Sequence, residues 1–186
     1  MKKYIHTVML FFMAITVSQA QQMLPKQKGL EVSTGILSDD KIGNDYYINL
    51  GMTVNGKNGN YQIWALEYTH QYHDYKDQRI PQETYTAEAG YSLFLLGNAQ
   101  KNITLNAGIT GVVGYESINR GEAMLYDGAK IMSEDNFIYG AGGRLTFETY
   151  LSDRFVLVLQ GRTKVFWGTD LRQFRPSVGV GLRFNF

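Results

Sequence analysis

The 186-residue sequence contains no cysteine, only 3 prolines and a formal net charge of just +1. The absence of cysteine excludes disulfides, thiolate catalysis, Cys-ligated metals and the lipid-modified cysteine of a bacterial lipoprotein. The balanced charge provides no basic field that would attract nucleic acid, and there is no acidic tail. We therefore expect no direct nucleic-acid binding, and no motif indicates a cofactor.

Beyond its N-terminus the sequence also lacks an apolar run long enough for a membrane-spanning helix. The one extended apolar run, at 10–17, follows two lysines near the start of the chain. Ser18 and Ala20 then supply the small residues that precede a cleavage site. An uncleaved anchor is the alternative, but the run is short for a spanning helix. We predict a signal peptide over 1–20, cleaved after Ala20, and hence an exported protein.

Glycine and tyrosine are abundant, with 20 and 13 residues, which suits a chain of strands and tight turns. A short polar lead is predicted at 21–27. Segments follow in which apolar residues alternate with polar or small ones, the period of a β-strand with one apolar face. These segments lie at about 28–37, 45–54, 61–75, 84–95, 103–117, 137–151, 154–167 and 174–186.

The connections between these segments alternate in character. Those after the second, fourth and sixth segments are tight and rich in Asn, Gly, Ser and Asp, whereas the others are generally longer, including a polar loop at 76–82. Short turns at one rim and longer loops at the other are typical of outer-membrane barrels. We predict an all-β, antiparallel up-and-down transmembrane β-barrel of about eight strands over 28–186. A soluble lipocalin is the alternative, but it would turn its apolar face inward.

The last segment alternates without a break to the final residue of the chain. A terminal aromatic below an apolar face is typical of the closing strand of an outer-membrane barrel, where that face meets lipid. An ordinary strand at the end of a soluble sandwich is the alternative. We expect the lipid-facing residues to serve in assembly by the barrel-assembly machinery. They are Val178, Val180, Leu182, Phe184 and Phe186.

The opposite face of the segments carries five acids and five bases. A lumen of eight strands is only wide enough for side chains to fill it, and unpaired buried charges are costly. We therefore expect a structural network of ion pairs rather than an ion path. Its predicted members are Glu31, Glu67, Glu88, Glu116, Glu148, Arg144, Arg162, Lys164, Arg175 and Arg183.

A barrel hydrolase acting on lipid is a weaker hypothesis, for which His73, Ser117 and Glu116 could form a catalytic set. Nothing in their spacing requires that they meet. His70 and His73 lie three residues apart, so on a strand they face opposite ways and cannot share a metal ion. We therefore predict no catalytic residue and no metal site.

The longest irregular stretch, 119–135, contains an apolar triplet in otherwise polar surroundings. Exposed apolar residues in a loop often mark a contact site. We expect the triplet to contact a partner, with an extension of the next strand as the alternative. The triplet is Met124, Leu125 and Tyr126.

The whole chain resembles the TraO conjugal transfer proteins of Bacteroides-type conjugative transposons. The resemblance is carried by the signal peptide, the lead at 21–28 and the ending GRTKVFWGTDLRQFRPSVGVGLRFNF. It implies a non-enzymatic role in DNA transfer between cells, with other conjugation proteins as partners. It transfers no catalytic residues to this sequence. A barrel of the adhesion or envelope-maintenance type is the alternative function.

Overall fold

A computed structural model describes residues 24–38, 45–76, 78–98, 102–122 and 135–186. Eight strands form one closed barrel in which every strand pairs antiparallel with its neighbours in sequence order, and the first pairs with the last. This is the predicted fold class. No helix within the described ranges is long and apolar enough to span a membrane.

The strands are close to the predicted segments, apart from the fourth. Their bounds are β1 (Lys28–Leu37), β2 (Tyr46–Asn55), β3 (Tyr61–Tyr75), β4 (Gln78–Gly97), β5 (Ile103–Ile118), β6 (Asn136–Tyr150), β7 (Phe155–Trp167) and β8 (Phe174–Asn185). A single 3-10 turn, Asn119–Gly121, follows β5 in the described part of the chain.

The predicted loop at 76–82 is wrong, because most of it belongs to β4. Tyr75 pairs with Gln78, so β3 and β4 form a hairpin that rises beyond the neighbouring strands. Pro81 lies just past the last β4–β5 pair, which joins Gln82 to Ile118. Because this is an edge position, the missing proline N–H leaves no ladder bond unmade.

The barrel is closed by pairing of β1 with β8, for example Leu30 with Phe184. The start of β1 and the last residue meet there, since the Lys28 N–H donates to the Phe186 carbonyl at 3.2 Å and the Phe186 N–H donates back to the Lys28 carbonyl at 2.8 Å. The strand ends joined by the β2–β3, β4–β5 and β6–β7 turns share this end of the barrel, the turn rim. The strand ends joined by the four other connections lie at the opposite end, the loop rim.

The faces of the strands are reversed relative to a soluble barrel. Large apolar side chains point outward, with Ile109 76% and Leu66 63% exposed. Polar side chains fill the inside, where Glu116, Glu148 and Asn106 are 0% exposed. Exposed apolar surface on this scale is far beyond the patches that soluble monomers tolerate. The lipocalin alternative is therefore excluded by the direction of the side chains.

Two inward glycines make room for a buried tyrosine. Tyr47 lies in the lumen with 1% of its surface exposed. A Cβ atom added to Gly179 would overlap the Tyr47 hydroxyl, and one added to Gly35 would reach 2.7 Å from the ring. The two glycines pair with each other across the β1–β8 seam. Close approach of the ring to the backbone therefore requires glycine on both closing strands.

Candidate functional site

All ten charged residues predicted to face inward lie in the lumen, and each is 9% exposed or less. The strand periodicity places them there because they share the inward phase of their strands. They separate along the barrel axis into three groups: a turn-rim cluster, a middle cluster and a loop-rim cluster.

The turn-rim cluster is centred on Arg183 of β8. Its guanidinium donates to Glu31 on β1 at 2.8 and 3.0 Å, and to Glu148 on β6 at 2.9 and 3.2 Å. Tyr61 adds a 2.6 Å bond to Glu148, and its ring lies 4.7 Å from the guanidinium carbon. Tyr150 donates to the other oxygen of Glu148 at 3.3 Å. One arginine thus joins the closing strands to β6 through charge-assisted bonds.

The middle cluster places two acids among three bases. Glu67 lies 2.7 Å from both Arg162 and Lys164. Glu88 forms ion pairs with Lys164 and, at 3.3 Å, with Arg144. Lys164 therefore bridges both acids, and each acid retains a second basic partner. Sharing of this kind offsets the desolvation of five charges inside the barrel.

Tyr47 packs against the middle cluster. The Arg162 guanidinium carbon lies 3.9 Å from the centre of its ring, a cation–π contact that is strongest when water is excluded. Gln160 donates a hydrogen bond to the tyrosine hydroxyl at 3.3 Å. Tyr47 is not among the residues predicted for the network. The sequence did indicate that Tyr47 faces inward, since it shares the inward phase of Asn49 on β2.

The loop-rim cluster pairs Arg175 of β8 with Glu116 of β5. Thr169 donates to Glu116 at 2.7 Å and Gln82 donates at 2.6 Å. The Gln82 amide oxygen contacts His73 in turn. A hydrogen-bonded chain therefore runs from the hairpin of β3 and β4 to the β7–β8 connection.

The lumen between these clusters is filled. Two small voids near the loop rim, lined in part by Arg175, measure about 10 and 20 Å³. A void of that size accommodates a single water molecule. Within the described residues, three layers of paired charges and buried tyrosines occupy the path along the barrel axis.

The catalytic set considered from the sequence does not assemble. Glu116 and His73 face the lumen and are linked through Gln82, but Ser117 faces the outer wall and donates to Asp135 at 3.2 Å. His70 also faces outward, 4.7 Å from Tyr72 between ring centres. Among the described side chains no group of three or more His, Asp or Glu is arranged to hold a metal ion.

Of the remaining predicted features, the structure describes the closing strand but not the loop triplet or the signal peptide. The apolar side chains of the closing strand all face outward, with exposed fractions between 38% and 62%: Val178, Val180, Leu182, Phe184 and Phe186. The triplet of Met124, Leu125 and Tyr126 and the signal peptide lie outside the described residues.

A closed eight-stranded barrel with an apolar outer wall and a charged, filled lumen defines an outer-membrane-type β-barrel. The model of the family "Conjugative transposon protein TraO" matches residues 24–186. The chain belongs to the TraO family. No curated protein matches the sequence.

The chain is similar to three solved structures of bacterial proteins. Neisserial surface protein A is 13% identical, with a TM-score of 0.60 over 87% of this chain and 97% of that one. The N-terminal β-barrel domain of Pseudomonas aeruginosa OprF is 13% identical, with a TM-score of 0.47 over 87% and 98%. Yersinia pestis outer membrane protein Ail is 15% identical, with a TM-score of 0.46 over 86% and 99%.

Proposed function

We propose that this protein is an outer-membrane barrel that serves as a non-enzymatic accessory of a conjugative DNA-transfer apparatus. The observation that carries this proposal is the combination of a filled, charge-paired lumen with an outer wall committed to apolar contact. Membership of the TraO family points to conjugation as the process. The geometry of the barrel limits the ways in which the protein can take part in it.

Membrane insertion is supported by the arrangement of outward side chains. Tyr68, Tyr85 and Tyr115 form one register row near the loop rim, and aromatic rows of this kind sit at the membrane–water interface. At the turn rim Phe184 and Phe155 face each other, 5.2 Å apart between ring centres. Aliphatic side chains occupy the wall between these rows, as an apolar belt requires. We infer that the mature chain begins at Gln21, after signal-peptide cleavage, and is inserted by the barrel-assembly machinery.

The lumen supports a closed barrel rather than a pore or an enzyme. A conducting path would need the paired charges of the three clusters to separate, and breaking such a pair is strongly unfavourable. Catalysis would need a nucleophile next to a base, whereas the hydroxyl of Ser117 is directed to a carboxylate. Contacts with other conjugation proteins therefore fall to the loops, the rims or the N-terminal lead, and we expect none with DNA.

A clean deletion of the gene tests this role. We expect the mating frequency of the deletion strain to fall and to recover when the intact gene is supplied in trans. Complementation with a variant that assembles normally provides the matched control. Normal transfer by the deletion strain, together with a change in adhesion or envelope integrity, would instead support the adhesion or envelope-maintenance alternative. A change in lipid modification in that strain would support the hydrolase alternative.

A further inference from the structure

An apolar trough crosses the outer wall of the barrel over β3, β4 and β5. Ala87 forms its floor, between the longer side chains of Leu66 and Val113 in the same register row. These two flanking residues are 63% and 49% exposed. The trough has a volume of about 590 Å³, within the range of small-molecule sites, roughly 300–1,000 Å³. It is therefore wide enough to hold an acyl chain against the wall.

Tyrosines close the loop-rim end of the trough. Tyr85 projects at the centre of this end with 51% of its surface exposed, between Tyr68 and Tyr115. The hydroxyls of the two outer tyrosines both point to carboxylates. Tyr68 donates to Glu83 at 3.3 Å, and Tyr115 donates to Asp135 at 3.1 Å. Two acids thus lie just beyond the aromatic row, Glu83 next to Tyr85 along β4 and Asp135 beside Tyr115 and Ser117 of β5.

The charge of the first row beyond the tyrosines is acidic. The row beyond the tyrosines pairs His70 with Glu83 and Glu83 with Ser117, which in turn donates to Asp135. His70 is the one basic group in this row, and its Nδ1 atom lies 3.9 Å from Glu83. Neither this row nor the described lining of the trough contains lysine or arginine. Carboxylates beside tyrosine faces favour an ammonium group and disfavour an anion.

We propose that the trough binds a phospholipid with an ammonium headgroup, the acyl chain lying on Ala87 and the ammonium beside Glu83 and Asp135. This inference rests on the proposed outer-membrane location, because only there does the wall face lipid. The aromatic row places the acids at headgroup level, while the trough runs from them into the apolar belt. The acidic groups beside the headgroup and the shape of the trough along the acyl chain thus select one lipid from the surrounding bilayer.

Native mass spectrometry of the mature protein in detergent tests the proposal. Phosphatidylethanolamine and phosphatidylglycerol with identical acyl chains are the two probes. We expect the wild-type protein to retain phosphatidylethanolamine about tenfold more tightly. The Glu83→Gln, Asp135→Asn double variant should lose this preference. Since Asp135 also accepts the Ile118 N–H at 3.0 Å, Glu83→Gln alone is the second variant and should lose part of it.

The shape of the trough is tested separately. Ala87→Phe fills the floor and should reduce retention of both lipids, whereas Ala107→Phe is a matched outward substitution outside the trough and should leave retention unchanged. Equal retention of the two lipids by the wild-type protein would overturn the proposal, as would equal effects of the two phenylalanine variants. A dimer that Ala87→Phe dissociates would assign the trough to a second copy of the chain instead. Normal mating by the deletion strain would overturn the conjugation role and leave the lipid result standing, whereas recovery of the protein as a soluble species would overturn both.

Discussion

Arg183 and Glu148 are joined by two hydrogen bonds, 2.9 and 3.2 Å long, although the strands that carry them are not neighbours. The bonds pass over β7, which separates β6 from β8. The same guanidinium holds Glu31 on β1. A single side chain therefore braces the seam at which the barrel closes, from inside the wall.

Replacement of Arg183 by methionine should destabilise the barrel strongly. The variant leaves Glu31 and Glu148 buried without their cation, at a cost of about 3–5 kcal/mol. The effect is measured as the temperature at which half of the protein loses the compact form that unboiled samples show on gels. Arg154→Met at an exposed turn position is the matched control and should change little. Neutralising both acids in the Arg183→Met background should recover part of the lost stability. If Arg183→Met has the same thermal midpoint as Arg154→Met, Arg183 does not stabilise the barrel.

Replacement of Arg162 by alanine should cost less. Its partner Glu67 keeps Lys164 at 2.7 Å, so we expect the lower end of the range, about 3 kcal/mol, for loss of one partner of a buried pair. Part of that cost comes from the lost packing of the guanidinium on Tyr47. Thermal unfolding in detergent provides the measurement, and an unchanged midpoint would mean that the charge of Arg162 is not needed in the lumen. Lys164→Ala should destabilise the barrel more than Arg162→Ala, because Lys164 forms ion pairs with both Glu67 and Glu88.

Addition of one methyl group at a strand glycine should be tolerated on the outer face of the barrel, at Gly161 of β7, but not on the inner face, at Gly179 of β8. Gly179→Ala directs the new methyl group at the Tyr47 hydroxyl and the Thr34 carbonyl. We expect destabilisation of about 1–3 kcal/mol, the usual range for overpacking. Gly161→Ala is the control, since a Cβ atom at Gly161 meets nothing within 4 Å. The yield of folded barrel compares the two variants, and equal yields would contradict the close packing of Tyr47 against β8.

Fractionation of cells tests the predicted export. We expect N-terminal sequencing of the mature protein to begin at Gln21 and the protein to be found with the outer membrane. A closed barrel should also migrate differently on gels when it is not boiled. Truncation of the final Phe186, which is 62% exposed, should lower the amount assembled, because the terminal aromatic belongs to the predicted assembly strand. Recovery of the wild-type chain as a soluble periplasmic protein would contradict the barrel's location.

Replacement of residues 123–128 by a Gly-Ser linker tests the predicted partner loop, which includes Met124, Leu125 and Tyr126. We expect the barrel to assemble while conjugation falls, because the outer wall and the lumen leave contacts to the loops. Mating frequency is measured beside the outer-membrane abundance of the variant. Normal transfer at normal abundance would exclude this loop and direct attention to the lead at 21–28. A matched linker in the tight turn at 56–60 controls for insertion of a flexible segment.

The sequence alone determined which face of each strand is apolar, and therefore the class of barrel. A period of two puts Val178 and Leu182 on one face and Arg183 on the other whatever the neighbouring strands are. The chemistry of the faces then indicates lipid outside and charge inside, since five acids and five bases could not face a bilayer. The predicted strand bounds were accurate wherever Asn-Gly or Ser-Asp turns punctuate the chain, because turn residues act locally.

Tertiary structure decided which charged side chains pair with one another in the lumen. Alternation places Glu148 in the lumen but does not distinguish Arg144, Arg162 and Arg183 as its counter-ion, because that choice depends on the stagger of strands that pair around a closed barrel. The extension of β4 to Gln78 also lay beyond sequence reasoning: its polar residues and Pro81 are typical of a loop, and cross-strand pairing with β3 outweighs that local preference. The trough on the outer wall has the same origin, since Leu66, Ala87 and Val113 are far apart in sequence and form one surface only when register aligns them.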